Sequence, residues 1–211
     1  MNTTAAPNKT QITKDLGARS ILVSRELNAP LAEVWRAYTE PKLLDQWWGP
    51  APWRAETKTM DFRPGGHWLY AMVSPENQRH WARMDYIAII RHRHFELSDS
   101  FCDEHGAVNS ALPVSRGQMT FTATATGTRV EFKMIYPTEE ALQKIVEMGF
   151  AEGITMCLDQ LEKLLHTTGA RSGTSTPLHL SRNWSSRPAH CHCWVCLRCI
   201  VSARNSNRVG G

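Results

Sequence analysis

Residues 118–136, QMTFTATATGTRVEFKMIY, and residues 139–166, EEALQKIVEMGFAEGITMCLDQLEKLLH, are the stretches that decide the fold. In the first stretch, apolar and polar residues alternate on both sides of Gly127, which predicts a pair of antiparallel strands with one apolar and one solvated face. In the second stretch, apolar residues recur at helical spacing: Leu142, Val146, Phe150, Ile154, Cys157, Leu158, Leu161 and Leu165. An apolar sheet face must be covered, so we expect this helix to lie on it.

The predicted C-terminal helix has a start signal, a stop signal and two weak points. Thr138 is a suitable N-cap, and Gly169 lies just past the expected end. A continuous helix over residues 139–166 would be about 40 Å long. Gly149 and Gly153 lie inside it, and each costs about 1 kcal/mol relative to Ala. We expect a compensating reason for them: close backbone approach, a bend, or space for a ligand.

The segments before residue 118 complete an α+β pattern. Residues 19–27 predict a first strand, and residues 28–50 predict two short helices, ended by Gly49-Pro50. Period-two segments fill residues 53–136, with a tight turn at Gly65-Gly66. The sequence therefore predicts a curved antiparallel sheet of about six or seven strands that wraps around a long C-terminal helix.

Charge and composition divide the chain into three parts. Residues 1–17 are polar and predict a flexible lead-in, residues 18–166 predict one domain, and residues 167–211 form a tail. The tail contains six Arg and no Lys, Asp or Glu, so 18 of the 24 basic residues and all 20 acidic residues precede it. Residues 1–166 thus have a net charge of −2, which argues against nucleic-acid binding there.

The tail also concentrates the cysteines, at Cys191, Cys193, Cys196 and Cys199. These residues suggest a zinc knuckle, but the surrounding Ser, Arg and Pro offer almost no core. We therefore favour a disordered and adventitious tail, with the zinc site as the alternative. Cys102 and Cys157 of the body are expected to be free thiols.

The sequence contains no apolar run long enough for a membrane span and no N-terminal secretory signal, so we expect a cytoplasmic protein that has no membrane partner. His92 and His94 lack a third ligand at useful spacing, so no metal site is expected in the body. No phosphate loop, dinucleotide fingerprint or nucleophile elbow occurs, and no cofactor is expected.

Four motifs, in order, resemble those of the START-like or SRPBCC superfamily. They are NAPLAEVW at residues 28–35, LLDQWWGP at residues 43–50, DFRPGGHW at residues 61–68, and GFAEG at residues 149–153 followed by LDQL at residues 158–161. The resemblance covers residues 18–166 and is to the branch similar to the C-terminal domain of the activator of the heat-shock-protein-ninety ATPase. It implies a helix-grip fold with a cavity between the long helix and the concave sheet.

The resemblance implies a small apolar ligand in that cavity, lipid-like or polyketide-like. The ligand-binding candidates are Trp48, Trp68, Tyr70, Met72, Trp81, Arg83, Met119, Phe121, Phe132, Met134, Gly149 and Gly153. Ordinary core packing explains the apolar members equally well, since large rings and Met also fill cores. The sequence does not decide whether the protein forms a homodimer or binds a chaperone partner.

Polar residues of the predicted strand at residues 80–86 are the basis of a second hypothesis, in which the protein is an enzyme. Trp81, Arg83 and Asp85 share one face, whereas His80 lies on the other. If Arg83 and Asp85 point inward, they could orient a polar group or serve a cyclase-type or hydrolase-type reaction. If they point outward, they form an ordinary surface pair, which is the interpretation that we favour. A co-chaperone surface without a ligand is the third hypothesis, and it predicts an exposed apolar patch.

Overall fold

The computed structural model describes residues 9–112, 114–147 and 149–170. The predictions for residues 1–8 and for the Cys-rich tail therefore lie outside the described residues. The described chain forms one antiparallel sheet in the order β1-β2-β8-β7-β6-β5-β4-β3, together with four helices. The strands are β1 Gln11–Asp15, β2 Ser20–Leu27, β3 Arg54–Met60, β4 His67–Val73, β5 Arg79–Ile90, β6 His94–Phe101, β7 Ser115–Ala123 and β8 Thr128–Ile135. The helices are α1 Leu31–Thr39, α2 Pro41–Leu44, α3 Glu139–Glu147 and α4 Phe150–Ala170.

The α+β helix-grip fold is confirmed, and the sheet has eight strands where about six or seven were expected. The flexible lead-in was a wrong prediction for Gln11–Asp15, because these residues pair with β2 from Gln11 opposite Ser24 to Asp15 opposite Ser20. Ile12 is the only apolar side chain of this strand. Backbone hydrogen bonds to an exposed sheet edge hold it, and these leave no hydrophobic pattern in the sequence.

The strand registers define an inner face, which the helices cover, and an outer face. Trp68 lies opposite Met84, and Met119 lies opposite Phe132, on the inner face. Those four side chains belong to a single buried cluster that also includes residues of α1 and α4. The alternation of apolar and polar residues in β7 and β8 thus correctly predicted which face of the sheet lies against the core.

The C-terminal helix is broken, contrary to the prediction of a continuous helix over residues 139–166. Gly149 separates α3 from α4 with a φ of 81°, a left-handed conformation that L side chains rarely adopt. The predicted cap is present, since the Ala141 N–H donates to the Thr138 hydroxyl at 3.1 Å. Gly149 therefore marks the bend that was one of the expected reasons for a glycine in this helix.

The two helices differ in how deeply they are packed. Among the described residues of α3, Leu142 alone is fully buried. The described part of α4 buries one full stripe: Phe150, Gly153, Cys157, Leu158, Leu161 and Leu165. In the described ranges, no helix is long and apolar enough to cross a membrane. The helix α4 is thus the main cover of the inner face, and α3 is a shallower extension of it.

A buried arginine attaches α4 to the sheet. The Arg25 side chain on β2 is 5% exposed and shares the inner-face register of Val23 and Leu27. Its guanidinium donates to Asp159 at 2.5 Å and also to Glu162, both on α4. Charge-assisted hydrogen bonds to two carboxylates compensate the burial of the cation, so this contact fixes the position of α4 over β2.

We predict that Arg25→Met lowers the free energy of unfolding by about 2–4 kcal/mol, because it leaves two carboxylates facing each other without their cation. The measurement is urea unfolding followed by circular dichroism. Arg129→Met on the neighbouring strand is the matched control, since Arg129 is 52% exposed and lies 3.8 Å from its partner Glu26. The control should change the stability by less than about 1 kcal/mol. Equal effects of the two substitutions would contradict the role given to Arg25.

Candidate functional site

An aromatic stack on β4 forms the centre of the candidate site. The rings of Trp68 and Tyr70 are stacked with centroids 4.0 Å apart and planes 18° apart. The ring of Trp48 meets Trp68 edge-on at 5.7 Å. Met72 follows on the same face of β4, and all four side chains are buried. These four ligand-binding candidates therefore lie together in the core.

The helix α4 fixes the loop that carries Trp48. The Gln160 side chain donates to the carbonyl oxygens of Trp47 at 3.0 Å and Gly49 at 2.7 Å, and it accepts a hydrogen bond from the Ala51 N–H at 2.9 Å. Gly49 is required here, because a Cβ atom at this position would lie 2.6 Å from Arg54 Cα. The loop is thus held between α4 and β3, with Trp48 directed into the core.

The remaining inner-face candidates lie further along the same core. Met119, Phe121, Phe132 and Met134 are all buried on β7 and β8. Phe121 contacts the rings of three neighbours, namely Trp35, Tyr38 and Phe95. Gly153 is buried on α4, and Gly149 forms the helix break. The position of the four strand residues on the inner face is established, while the contact of all six candidates with a ligand stays a prediction.

Trp81 and Arg83 do not join the other candidates, so their listing as ligand-binding residues was wrong, whereas the outward orientation that we favoured for Arg83 and Asp85 is the one found. They lie on the outer face, because Trp81 pairs with Ala71 and Arg83 pairs with Leu69, whereas their neighbours Ala82 and Met84 point inward. Strand alternation cannot tell which parity faces the core, and that ambiguity caused the error.

Around Trp81 and Arg83, side chains of the outer face contact one another and the loop after β6. The Arg83 guanidinium donates to the Asp85 carboxylate at 2.5 Å and to the Gly106 carbonyl at 3.2 Å. The Lys58 ammonium lies 5.4 Å from the centre of the Trp81 ring and donates to the Glu104 carbonyl at 2.6 Å. These contacts fasten the loop after β6 to the sheet. They also remove Arg83 and Asp85 from the groups that an enzyme in the pocket could use.

The structure adds polar inner-face residues that the sequence analysis missed. Asp99 is 2% exposed on β6 and lies opposite Met84 on one side and Ser115 on the other. Ser115 is buried as well, and buried Tyr136 follows directly after β8. A signal was present, because Asp99 has the same parity as Phe95 and Leu97 in its strand. A polar row therefore crosses the apolar inner face at the end where β8 leads into α3.

Two buried phenols near the core stay protonated. Burial raises the pKa of the Tyr38 and Tyr86 phenols far above the ordinary value of 10.0, so both keep their protons. His80 shares the face of Met72, with its ring 5.7 Å from Trp53. His92 lies in the turn before β6 with a φ of 59°, so it does not share a strand face with His94. Among the described residues, no group of three His, Cys, Asp or Glu could hold a metal.

The sequence profile of the family described as "Activator of Hsp90 ATPase homolog 1-like protein" matches residues 28–166. The chain belongs to this family. The matched region contains all the ligand-binding candidates, from Trp48 to Gly153. No curated protein matches the chain.

Several solved structures are similar to this family member. A protein from Mycobacterium smegmatis, Ms6760, is 32% identical, with a TM-score of 0.69, over 75% of this chain and 97% of that one. A protein from Arthrobacter aurescens is 30% identical, with a TM-score of 0.69, over 74% and 91% of the two chains. A protein from Staphylococcus epidermidis is 26% identical, with a TM-score of 0.68, over 81% and 99%. These likenesses confirm the START-like fold of the described domain.

A half-buried carboxylate lies behind the aromatic stack. Asp45 accepts hydrogen bonds from the Thr57 N–H at 2.9 Å and the Thr57 hydroxyl at 2.7 Å. Burial raises the pKa of Asp45 above its ordinary value of 3.8, although the bonds from Thr57 oppose the shift, and the nearby charge of Glu56 adds to it. The folded protein therefore holds a proton on Asp45 at a higher pH than the unfolded chain does.

We predict that Asp45 contributes more favourably to stability as the pH falls through its raised pKa toward 3.8. The measurement is the difference in free energy of unfolding between the wild type and Asp45→Asn, from urea titrations between about pH 7 and pH 4. Because Asn does not titrate, the wild type should gain stability relative to the variant as the pH is lowered. A difference that stays constant, or moves the other way, would contradict the assignment.

Proposed function

We propose that the protein binds a small, largely apolar molecule on the inner face of the sheet, beneath the C-terminal helices. The molecule would lie against Trp68, Tyr70 and Met72 and would carry a group that forms hydrogen bonds. This proposal is more specific than the family membership, which is compatible with ligand binding and with a co-chaperone-like role.

The observation that carries the proposal is the polar row beside the aromatic stack. Burying Asp99 and Ser115 in an apolar core costs free energy that Leu or Val at the same positions would avoid. Polar groups that converge in an otherwise apolar and aromatic environment are typical of ligand sites, where they fix the orientation of the bound molecule. Since Asp99 carries a carboxylate, the proposed ligand presents an N–H or O–H group to it.

The helix break supports a route for the ligand. The polar row lies at the end of the sheet where Tyr136 leads into α3, and α3 is the less deeply packed of the two helices. Gly149 can change its backbone angles at little steric cost. Movement of α3 about Gly149 would expose the inner face while Arg25 holds α4 in place.

We predict that 8-anilinonaphthalene-1-sulfonate binds the wild-type protein and that Trp68→Phe weakens this binding by about five-fold or more, because the smaller ring removes part of the stacked apolar surface. The measurements are a fluorescence titration and the rise in melting temperature on binding. Trp81→Phe is the matched control: it is the same substitution on the adjacent strand but on the outer face, and it should leave the affinity unchanged.

Both variants must first show a cooperative thermal transition, since loosely packed states also bind this dye. Equal loss of affinity in the two variants, or no loss in Trp68→Phe, would contradict an inner-face site. Native mass spectrometry of protein purified from its own cells then addresses the natural ligand. A bound mass that is retained in Trp81→Phe and depleted in Trp68→Phe is the expected result.

A further inference from the structure

Three side chains form a hydrogen-bonded relay from the protein surface to the aromatic stack. The buried Trp68 indole Nε1–H donates to the Thr57 hydroxyl oxygen at 2.8 Å. The Thr57 hydroxyl in turn donates to the Asp45 carboxylate at 2.7 Å, and the Thr57 backbone N–H donates to the same carboxylate oxygen at 2.9 Å. The relay thus joins the end of α2, the edge strand β3 and the ligand-facing strand β4.

The chemistry of a hydroxyl group gives this relay a direction. A Thr hydroxyl has one proton to donate and lone pairs to accept with. Because the Thr57 hydroxyl donates its hydrogen bond to Asp45, its lone pairs are available to accept one from the indole N–H of Trp68. Trp68 is 1% exposed, so its N–H has no access to bulk water. Asp45 therefore fixes the rotation of the Thr57 hydroxyl, and the hydroxyl fixes the edge of the Trp68 ring.

The same carboxylate also controls the neighbouring aromatic group. Asp45 lies in the turn between α2 and the Trp47-Trp48 pair, so its bonds to Thr57 hold this turn against β3. Trp48 then contacts Trp68 edge-on. Two of the rings that form the inner-face wall thus depend on one residue that contacts neither of them directly.

We propose that Asp45 and Thr57 are positioning residues, which set the plane of the Trp68 ring and thereby the shape of the ligand-facing wall. This inference rests on the proposed function for its effect on binding, whereas the relay itself can be tested without a ligand. A ring held by a hydrogen bond at its edge keeps a fixed plane for stacking, and a ring without that bond leaves a buried donor unsatisfied and shifts to find another partner.

The test compares Thr57→Val, which keeps the shape and removes the hydroxyl, with Thr57→Ser, which keeps the hydroxyl. Thr59→Val is the control, because Thr59 is exposed on the same strand. The first measurement is the indole N–H resonance of Trp68 in a ¹⁵N–¹H spectrum, assigned by its loss in Trp68→Phe. The second is the affinity for 8-anilinonaphthalene-1-sulfonate.

We expect Thr57→Val to shift the Trp68 indole resonance upfield and to weaken dye binding by about five-fold, since one neutral hydrogen bond is lost. Thr57→Ser should restore both properties, and Thr59→Val should change neither. An unchanged indole resonance in Thr57→Val, or a Thr57→Ser variant that behaves like Thr57→Val, would overturn the relay. A shifted resonance with unchanged affinity would overturn its effect on binding, and a wild type that binds no dye would instead contradict the proposed function.

Discussion

The ion pairs of Arg25 are the contact on which the architecture depends. A lone guanidinium on the inner face of a sheet would be strongly unfavourable, so its burial requires the carboxylates of Asp159 and Glu162 on α4. The position of α4 then determines where Gln160 lies, and Gln160 holds the loop that carries Trp48. The aromatic wall of the candidate site is therefore a consequence of how the helix is attached to β2.

Helices and strands with a periodic distribution of apolar residues could be predicted from this sequence, whereas features without such periodicity could not. Regular alternation predicted β7 and β8, and the helical stripe predicted α4. The helix break was foreseen only as one of three possible reasons for the glycines, because the apolar residues of α3 and α4 keep helical spacing across it. The edge strand β1 was missed because backbone pairing requires no apolar side chains.

Two polar residues of the inner face occupy strand positions whose neighbours on the same face are apolar. Arg25 falls between Val23 and Leu27, and Asp99 continues the parity of Phe95 and Leu97. Strand parity places both side chains on the inner face, although charged residues are seldom buried. Conversely, Trp81 and Arg83 were listed as pocket candidates although the apolar Ala82, Met84 and Tyr86 alternate with them, and the outward orientation favoured for Arg83 is the one found. Parity shared with a clearly apolar run is thus a better guide than residue type.

The C-terminal arm has two unequal parts: α4 is held by the ion pairs of the buried Arg25 and by hydrogen bonds of the Gln160 amide, whereas α3 is held by few buried contacts. The central claim is that a molecule enters beneath α3. Hydrogen–deuterium exchange with and without 8-anilinonaphthalene-1-sulfonate tests this claim most directly. Amides of residues 139–147 should exchange much faster than those of residues 154–165 in the free protein and should become protected when the dye binds. Equal protection of the two helices in the free protein, or dye binding that leaves residues 139–147 unchanged, would contradict it.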